Sequence, residues 1–274
     1  MKIAIGVTYD GSRFAGWQSQ PSGDTVQDHV ERALAAVASH PVRVTAAGRT
    51  DARVHALAQV AHFETTAARP DSAWVRGSNA SLPAAIAVQW AVPVAEDFHA
   101  RFSATRRSYR YLLYNHPVRP SLLAPYVGWF HLPLDVDAMR AGAAHLVGEH
   151  DFSAFRAAEC QAKTPVRRVG TAHVARHGPY VVVDIGADAF LHHMVRNIVG
   201  ALVYVGKGKH PPDWIATLLG HRDRRLAAPT FAPNGLYLSG VHYPSPWTFP
   251  AFPSMMPMVG ISAQENRPAA RGST

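Results

Sequence analysis

Stretches that alternate apolar and polar residues with period two confine this chain to folds built on half-exposed strands, because residues two apart on a strand share one face. In residues 2–10, Ile3, Ile5, Val7 and Tyr9 alternate with Lys2, Ala4, Gly6 and Thr8, which predicts a half-buried strand. RSYRYLLYN alternates in the same way, RVGTAHVARHGPYVVVDIGA reads as a hairpin turning at His177, Gly178 and Pro179, and GLYLSGVHYP closes with a strand. VRVTA and QVAHFETT are two further strand candidates.

Helical spacing fills the intervals. Thr25 precedes Val26, Val30, Leu34 and Val37, with Asp28 placed as a capping-box acid, so the spacing predicts a helix over 25–38. A second helix is expected over 72–82, with Ser72 as its cap and Pro83 beyond its end, and a third from Asp135 to Val147, stopped by Gly148. Ala189 to Val205 places Leu191, Val195, Ile198 and Leu202 on one stripe, and Gly206 can end that helix. Strand, helix, strand recurs in both halves. The expected class is therefore α+β, with mostly antiparallel sheets. At 274 residues the chain accommodates one large or two ordinary domains. The halves divide at 102/103. Residues 246–274 form a proline-interrupted tail, expected to be mobile. It lacks charge from Pro244 to Gln264, but its prolines break it too often for a membrane helix.

Charge narrows the function. Lys and Arg number 27 against 19 Asp and Glu, for a net charge of +8, and 23 of the cations are arginines. Guanidinium forks match phosphate oxygens and stack on bases, so the bias suits a nucleic-acid partner; a GC-rich coding sequence would produce the same bias without one. A single cysteine, Cys160, forms no internal disulfide or thiolate cluster, and residues 1–10 read as a strand rather than a signal peptide, which points to a reducing cytoplasm. No phosphate-binding loop, dinucleotide fingerprint or nucleophile elbow occurs, so nothing asks for a cofactor.

Three local features carry chemistry. Gly48-Arg49-Thr50-Asp51 ends a strand where a turn can present a carboxylate beside a guanidinium, or where Asp51 simply caps the segment that follows. In RFSATRRSYRYLLY, four arginines interleave with Phe102, Tyr109, Tyr111 and Tyr114. On a strand Tyr109 and Tyr111 share a face with Arg107, which suits either base stacking or a core strand. Arg196, in AFLHHMVRNIVG, shares a helical face with His192 and His193 off the apolar stripe and wants a carboxylate. Adjacent histidines on a helix point about 100° apart, so a metal is not expected there, although a metal hydrolase built on them is a third reading.

YDGSRFAGWQSQP, TVQDHVERAL, AAGRTDARVHALAQVAHFET, FHARFSATRRSYRYLLYN, GEHDFSAFRAAECQAKTPVRRV, DAFLHHMVRNIVG and APNGLYLSGVHYP, in this order from about residue 3 to residue 244, resemble the tRNA pseudouridine synthase A family. The resemblance implies two similar α/β subdomains flanking a basic cleft, and a homodimer that isomerises uridines 38, 39 and 40 of the tRNA anticodon stem-loop without cofactor or metal. It implies Asp51 as the catalytic aspartate, Arg49 as the residue that helps flip the nucleotide, Tyr109 as the ring stacking on uracil, and Arg196 as the partner of Asp51. It also implies RNA contacts from Phe98, His99, Arg101, Phe102, Arg106, Arg107, Gln161 and Lys163. One departure stands out: Arg53 occupies a place where the family carries glycine. If that residue needs a positive φ, arginine there is strained. The alternative is then a weakened, tRNA-binding relative of the same fold.

Overall fold

The computed structural model describes residues 1–253. Ten strands form one sheet: β1 (Lys2–Tyr9), β2 (Val44–Ala46), β3 (His55–Glu64), β4 (Ile86–Val94), β5 (Arg106–Asn115), β6 (Gly128–Phe130), β7 (Gly148–Asp151), β8 (Val166–His177), β9 (Tyr180–Ala187) and β10 (Leu236–His242). Their order is β4-β1-β3-β10-β5-β9-β8-β7, with β2 on β3 and β6 on β5. Pairing is antiparallel except for β3 with β10 and β5 with β6. The strands of both halves thus join one mostly antiparallel sheet. The last strand supplies the seam, lying between β3 and β5.

Five helices cover the sheet: α1 (Val26–Ala38), α2 (Asp71–Ser81), α3 (Val136–Ala144), α4 (Met194–Gly206) and α5 (Trp214–His221). The capping expectation for α1 holds, since Thr25 Oγ1 accepts from the Asp28 amide at 3.3 Å. Helix α2 instead starts behind Pro70, which offers no side-chain cap and leaves Ser72 inside the helix. Helix α3 is capped by Asp135 and stops three residues before Val147. Helix α4 begins only at Met194, five residues later than its spacing predicts, because His193 turns into the left-handed region at φ 60°. Strands β4, β6 and β7 and helix α5 are short or bounded by prolines, and the pattern does not disclose them.

Strand β1 corrects a second expectation. It is buried along its whole length rather than on one face. Ile3, Ile5, Val7 and Tyr9 enter the large core beneath the helices, while Ala4 joins Val60, Trp90 and Phe98 on the other side of the sheet. Gly6 is small for the same reason: a Cβ there would lie 2.2 Å from the Trp90 indole.

What covers this second face is the chain segment read as a mobile tail. Phe249 stacks on Trp90 with centroids 5.2 Å apart, Phe252 lies 5.5 Å from the same ring, and Trp247 meets Phe98 at 5.7 Å. Aromatic area, rather than the absence of charge, is the signal that docks residues 246–253 on the sheet. The rest of the expected tail, 254–274, lies outside the described residues.

Candidate active site

The loop between β2 and β3 presents Asp51, and the glycine-rich segment after β1 shapes that loop. Trp17 donates its amide to the Thr50 carbonyl at 3.0 Å, and the Tyr9 hydroxyl lies 2.8 Å from Thr50 Oγ1. Gly16 sits at φ 99°, and a Cβ there would come within 2.8 Å of the Thr50 carbonyl oxygen, so only glycine allows the two loops to touch. The segment DGSRFAGWQSQPSG reads as a loop in the sequence. In the fold its residues 11–17 are the template for the Asp51 turn.

Side chains from the other half of the chain close around Asp51. Arg196 donates through Nη1 to Asp51 Oδ2 at 2.9 Å, and through Nε to the Phe231 carbonyl at 2.9 Å, so its guanidinium is fixed at two points. His193 Nε2 lies 3.4 Å from Oδ2, and His192 Nε2 lies 3.4 Å from Oδ1. The expected pairing of Arg196 with Asp51 is therefore present in the geometry. The two histidines reach it by an unforeseen route: they precede α4 instead of lying on it, which brings their rings to 4.0 Å and lets both face one carboxylate.

This arrangement also removes the helical-angle argument against a metal. The Asp51, His192 and His193 donor atoms lie within 4.8 Å of one another. Against a cation there stands an electrostatic argument: the Arg196 guanidinium already bonds the same carboxylate, and a second fixed positive charge beside a divalent cation is unfavourable. The cluster is one ion pair, Arg196 with Asp51, flanked by two imidazoles.

Tyr109, on β5, stands beside this network. A Cβ on Gly48 would lie 3.7 Å from its hydroxyl, and Phe190 meets its ring edge-on at 4.9 Å. Burial pushes its phenol well above the ordinary tyrosine range, with the charges of Tyr9 and Asp51 adding to the effect. Phe190 was missed because the sequence reading ran a helix from Ala189 through it, whereas it lies ahead of α4.

The exposed residues of the neighbouring segments are cationic and aromatic. Arg49 is exposed, as is Arg53, whose φ is 67°; the left-handed backbone anticipated at this position is real, and it is borne by a non-glycine. Phe102 is 75% exposed and stacks on His99 at 4.3 Å, with the Arg101 guanidinium 5.6 Å from the Phe102 centroid. Arg106 is half-buried against His242 at 3.0 Å, and Gln161 and Lys163 are exposed on a loop. That loop reaches the site, since Cys160 Sγ accepts from the His192 amide at 3.4 Å.

Two expected RNA contacts face the wrong way. Phe98 is fully buried against Tyr243, Trp247 and Phe249. Arg107 turns inward and donates to the carbonyls of Ala47, Ala104, Asp188 and Arg101. A buried guanidinium saturated by carbonyls ties loops together and has no donor left for a phosphate. Both expectations are corrected on this ground.

The comparisons with known proteins fall on these same segments. The model of the tRNA pseudouridine synthase family matches residues 5–103 and 143–244. A tRNA pseudouridine synthase A of Paraburkholderia xenovorans is 57% identical over 250 residues, covering 91% of this chain and 93% of that one. One from Dechloromonas aromatica is 59% identical over 250 residues, 91% of this chain and 95% of its own. Among solved structures, a chain of a Cbf5-Nop10-Gar1 complex matches 73% of this chain and 45% of its own at 14% identity and a TM-score of 0.32, a likeness too weak to use. The first matched block carries Asp51 with the loop that shapes it, the second carries His192, His193 and Arg196, and agreement of this depth over nearly the whole length means that the chain belongs to the tRNA pseudouridine synthase family.

Proposed function

We propose that this protein isomerises uridine to pseudouridine in tRNA, at positions 38, 39 and 40 of the anticodon stem-loop. One observation carries the reading. The Asp51 carboxylate is held by Arg196 at 2.9 Å near the buried Tyr109, and the exposed Arg49 lies two residues before it in the chain. A base must leave its stack before its glycosidic bond can be reached, which suits Arg49 as the cation that holds the vacated space. Tyr109 is suited to hold the uracil ring, and Asp51 to act on the nucleotide, either by adding to C1′ or by taking a sugar proton. In both routes the bond from C1′ to N1 breaks and one from C1′ to C5 forms. The product is an isomer of the reactant, so the reaction consumes no co-substrate.

Arg101, with Phe102 stacked on His99, offers a cation and an exposed ring for neighbouring nucleotides, and Arg106, Gln161 and Lys163 extend the RNA surface. We further propose a homodimer in the cytoplasm, with residues 1–102 and 103–245 as two subdomains joined by one sheet. No helix among the described residues is long and apolar enough to cross a membrane.

The alternative, a weakened tRNA-binding relative, rests on the strain at Arg53. Its side chain is exposed, and the Asp51 turn keeps its ion pair despite the positive φ, which favours the active enzyme. Incubating the purified protein with an anticodon stem-loop transcript and mapping pseudouridine position by position decides between them. The expected outcome is conversion at 38–40 by the wild type and a loss of at least about 1,000-fold in Asp51→Asn, since an amide neither adds to the sugar nor takes its proton. Binding without conversion by the wild type supports the alternative.

A further inference from the structure

The conversion proposed above leaves one step without an actor. When C5 replaces N1 on C1′, the C5 carbon briefly carries both its hydrogen and the sugar. That hydrogen must leave as a proton, its bonding pair restoring the C5–C6 double bond, and N1 must gain a proton. The net change is the transfer of one proton from C5 to N1. Both atoms adjoin C6, so one group beside that edge of the ring can take the proton from the first and return it to the second. Such a group must act as base and then as acid near neutral pH.

We propose that His193 is this group: its Nε2 takes the proton from C5 and its imidazolium returns it to N1. The inference rests on the function proposed above. Nε2 lies 3.4 Å from Asp51 Oδ2, within reach of a ring whose sugar is held at that carboxylate. The side chain is 27% exposed, against 41% for His192, which lies at the other oxygen, so His193 is the more sheltered of the two. Its backbone supplies an independent indication. His193 stands at the N-terminal boundary of α4 at φ 60°, a conformation that costs a non-glycine residue energy, and its side chain meets the carboxylate in place of capping the helix.

The neighbours are poorly suited to the task. Arg196 does not release its proton at any relevant pH. The Tyr109 phenol is pushed up by burial, and Asp51 is occupied with the sugar. The groups whose charges bear on His193 are Asp51, His192, Arg196 and Glu159, and burial, the largest influence, favours the neutral ring that a base requires.

The test uses single-turnover conversion of a stem-loop transcript whose target uridine carries hydrogen or deuterium at C5. In His193→Gln, conversion is expected to fall by about 100-fold or more. Transcript binding should stay within about threefold of wild type, and a primary deuterium isotope effect should emerge as removal of the C5 hydrogen becomes rate-limiting. In His193→Ala, added imidazole should restore part of the rate. His193→Gln converting within about threefold of wild type overturns the proposal. So does a slow His193→Gln with no isotope effect at C5 and no rescue of His193→Ala, because a merely structural role lowers the rate without exposing that step. A wild type that makes no pseudouridine defeats the proposed function itself and this proposal with it.

Discussion

Arg53 shows how a single backbone angle can be read and then priced. Its φ of 67° lies in the left-handed region that glycine enters freely and arginine does not, and its side chain is exposed and contributes no burial in return. Arg53→Gly should therefore stabilise the fold by about 0.5–1 kcal/mol, the gain from relieved strain being offset in part by the freer unfolded chain. Urea denaturation of the two proteins measures this, and a lower midpoint in the glycine variant would contradict it. This residue stood out because the resembled family carries glycine there, and the backbone angle then follows from glycine's freedom at positive φ. Arg196 was legible for a different reason, a guanidinium off the apolar stripe with no local carboxylate, whereas its pairing with Asp51 was implied only by the family resemblance. The place of His192 and His193 was not legible: helical periodicity runs through them, and only the contacts of the 157–162 loop, including the Cys160 sulfur on the His192 amide, reveal that the chain turns before α4 begins.

At the scale of elements, strand pattern was a good guide and helix ends were not. Alternation found β1, β5, the β8–β9 hairpin and β10, because a strand's side-chain period is set by its backbone. It misjudged β1 as half-exposed, since Ala4 and Gly6 read as polar-face residues when they are small to admit Trp90. The same second face holds a titratable joint. His62, on β3, is buried, and its Nδ1 accepts from the Ala100 amide at 3.1 Å, which fastens β3 to the segment carrying His99 to Phe102. Burial first, then the charges of His99 and Lys2, lower its pKa to about 4. Between that value and the ordinary histidine value of about 6.5, the unfolded chain binds the proton and the folded one does not. Stability from this residue is thus complete above about pH 6.5 and is lost as pH falls toward 4, by up to about 3 kcal/mol. His55, His99 and His242, also lowered chiefly by burial, act in the same direction. His62→Asn keeps an acceptor for the Ala100 amide and does not titrate, so its unfolding free energy should fall less steeply than that of the wild type from pH 6.5 to 4.5. Equal slopes in urea melts across this range would show that His62 is not the joint.

For the whole molecule, the arginines divide into two populations that composition alone merges. A net charge of +8 implied phosphate contacts, but it could not say which guanidinium groups face out. The fold separates them: Arg49 and Arg101 stand exposed, whereas Arg107 is 8% exposed and gathers carbonyls from four residues. A guanidinium that meets a phosphate releases a counterion, so each such residue removed should reduce the slope of log affinity against log salt by roughly 0.7–0.9. Arg49→Ala and Arg101→Ala are expected to show this reduction in tRNA binding measured between about 50 and 200 mM salt, with the fold undisturbed. Arg107→Met should do the opposite. Its salt slope should match the wild type, while the unfolding midpoint drops by the equivalent of about 3 kcal/mol, because removing one side chain strands several buried carbonyl groups at once. A slope that falls in Arg107→Met, or one unmoved in both exposed-arginine variants, would mean that the cationic surface meeting RNA lies elsewhere.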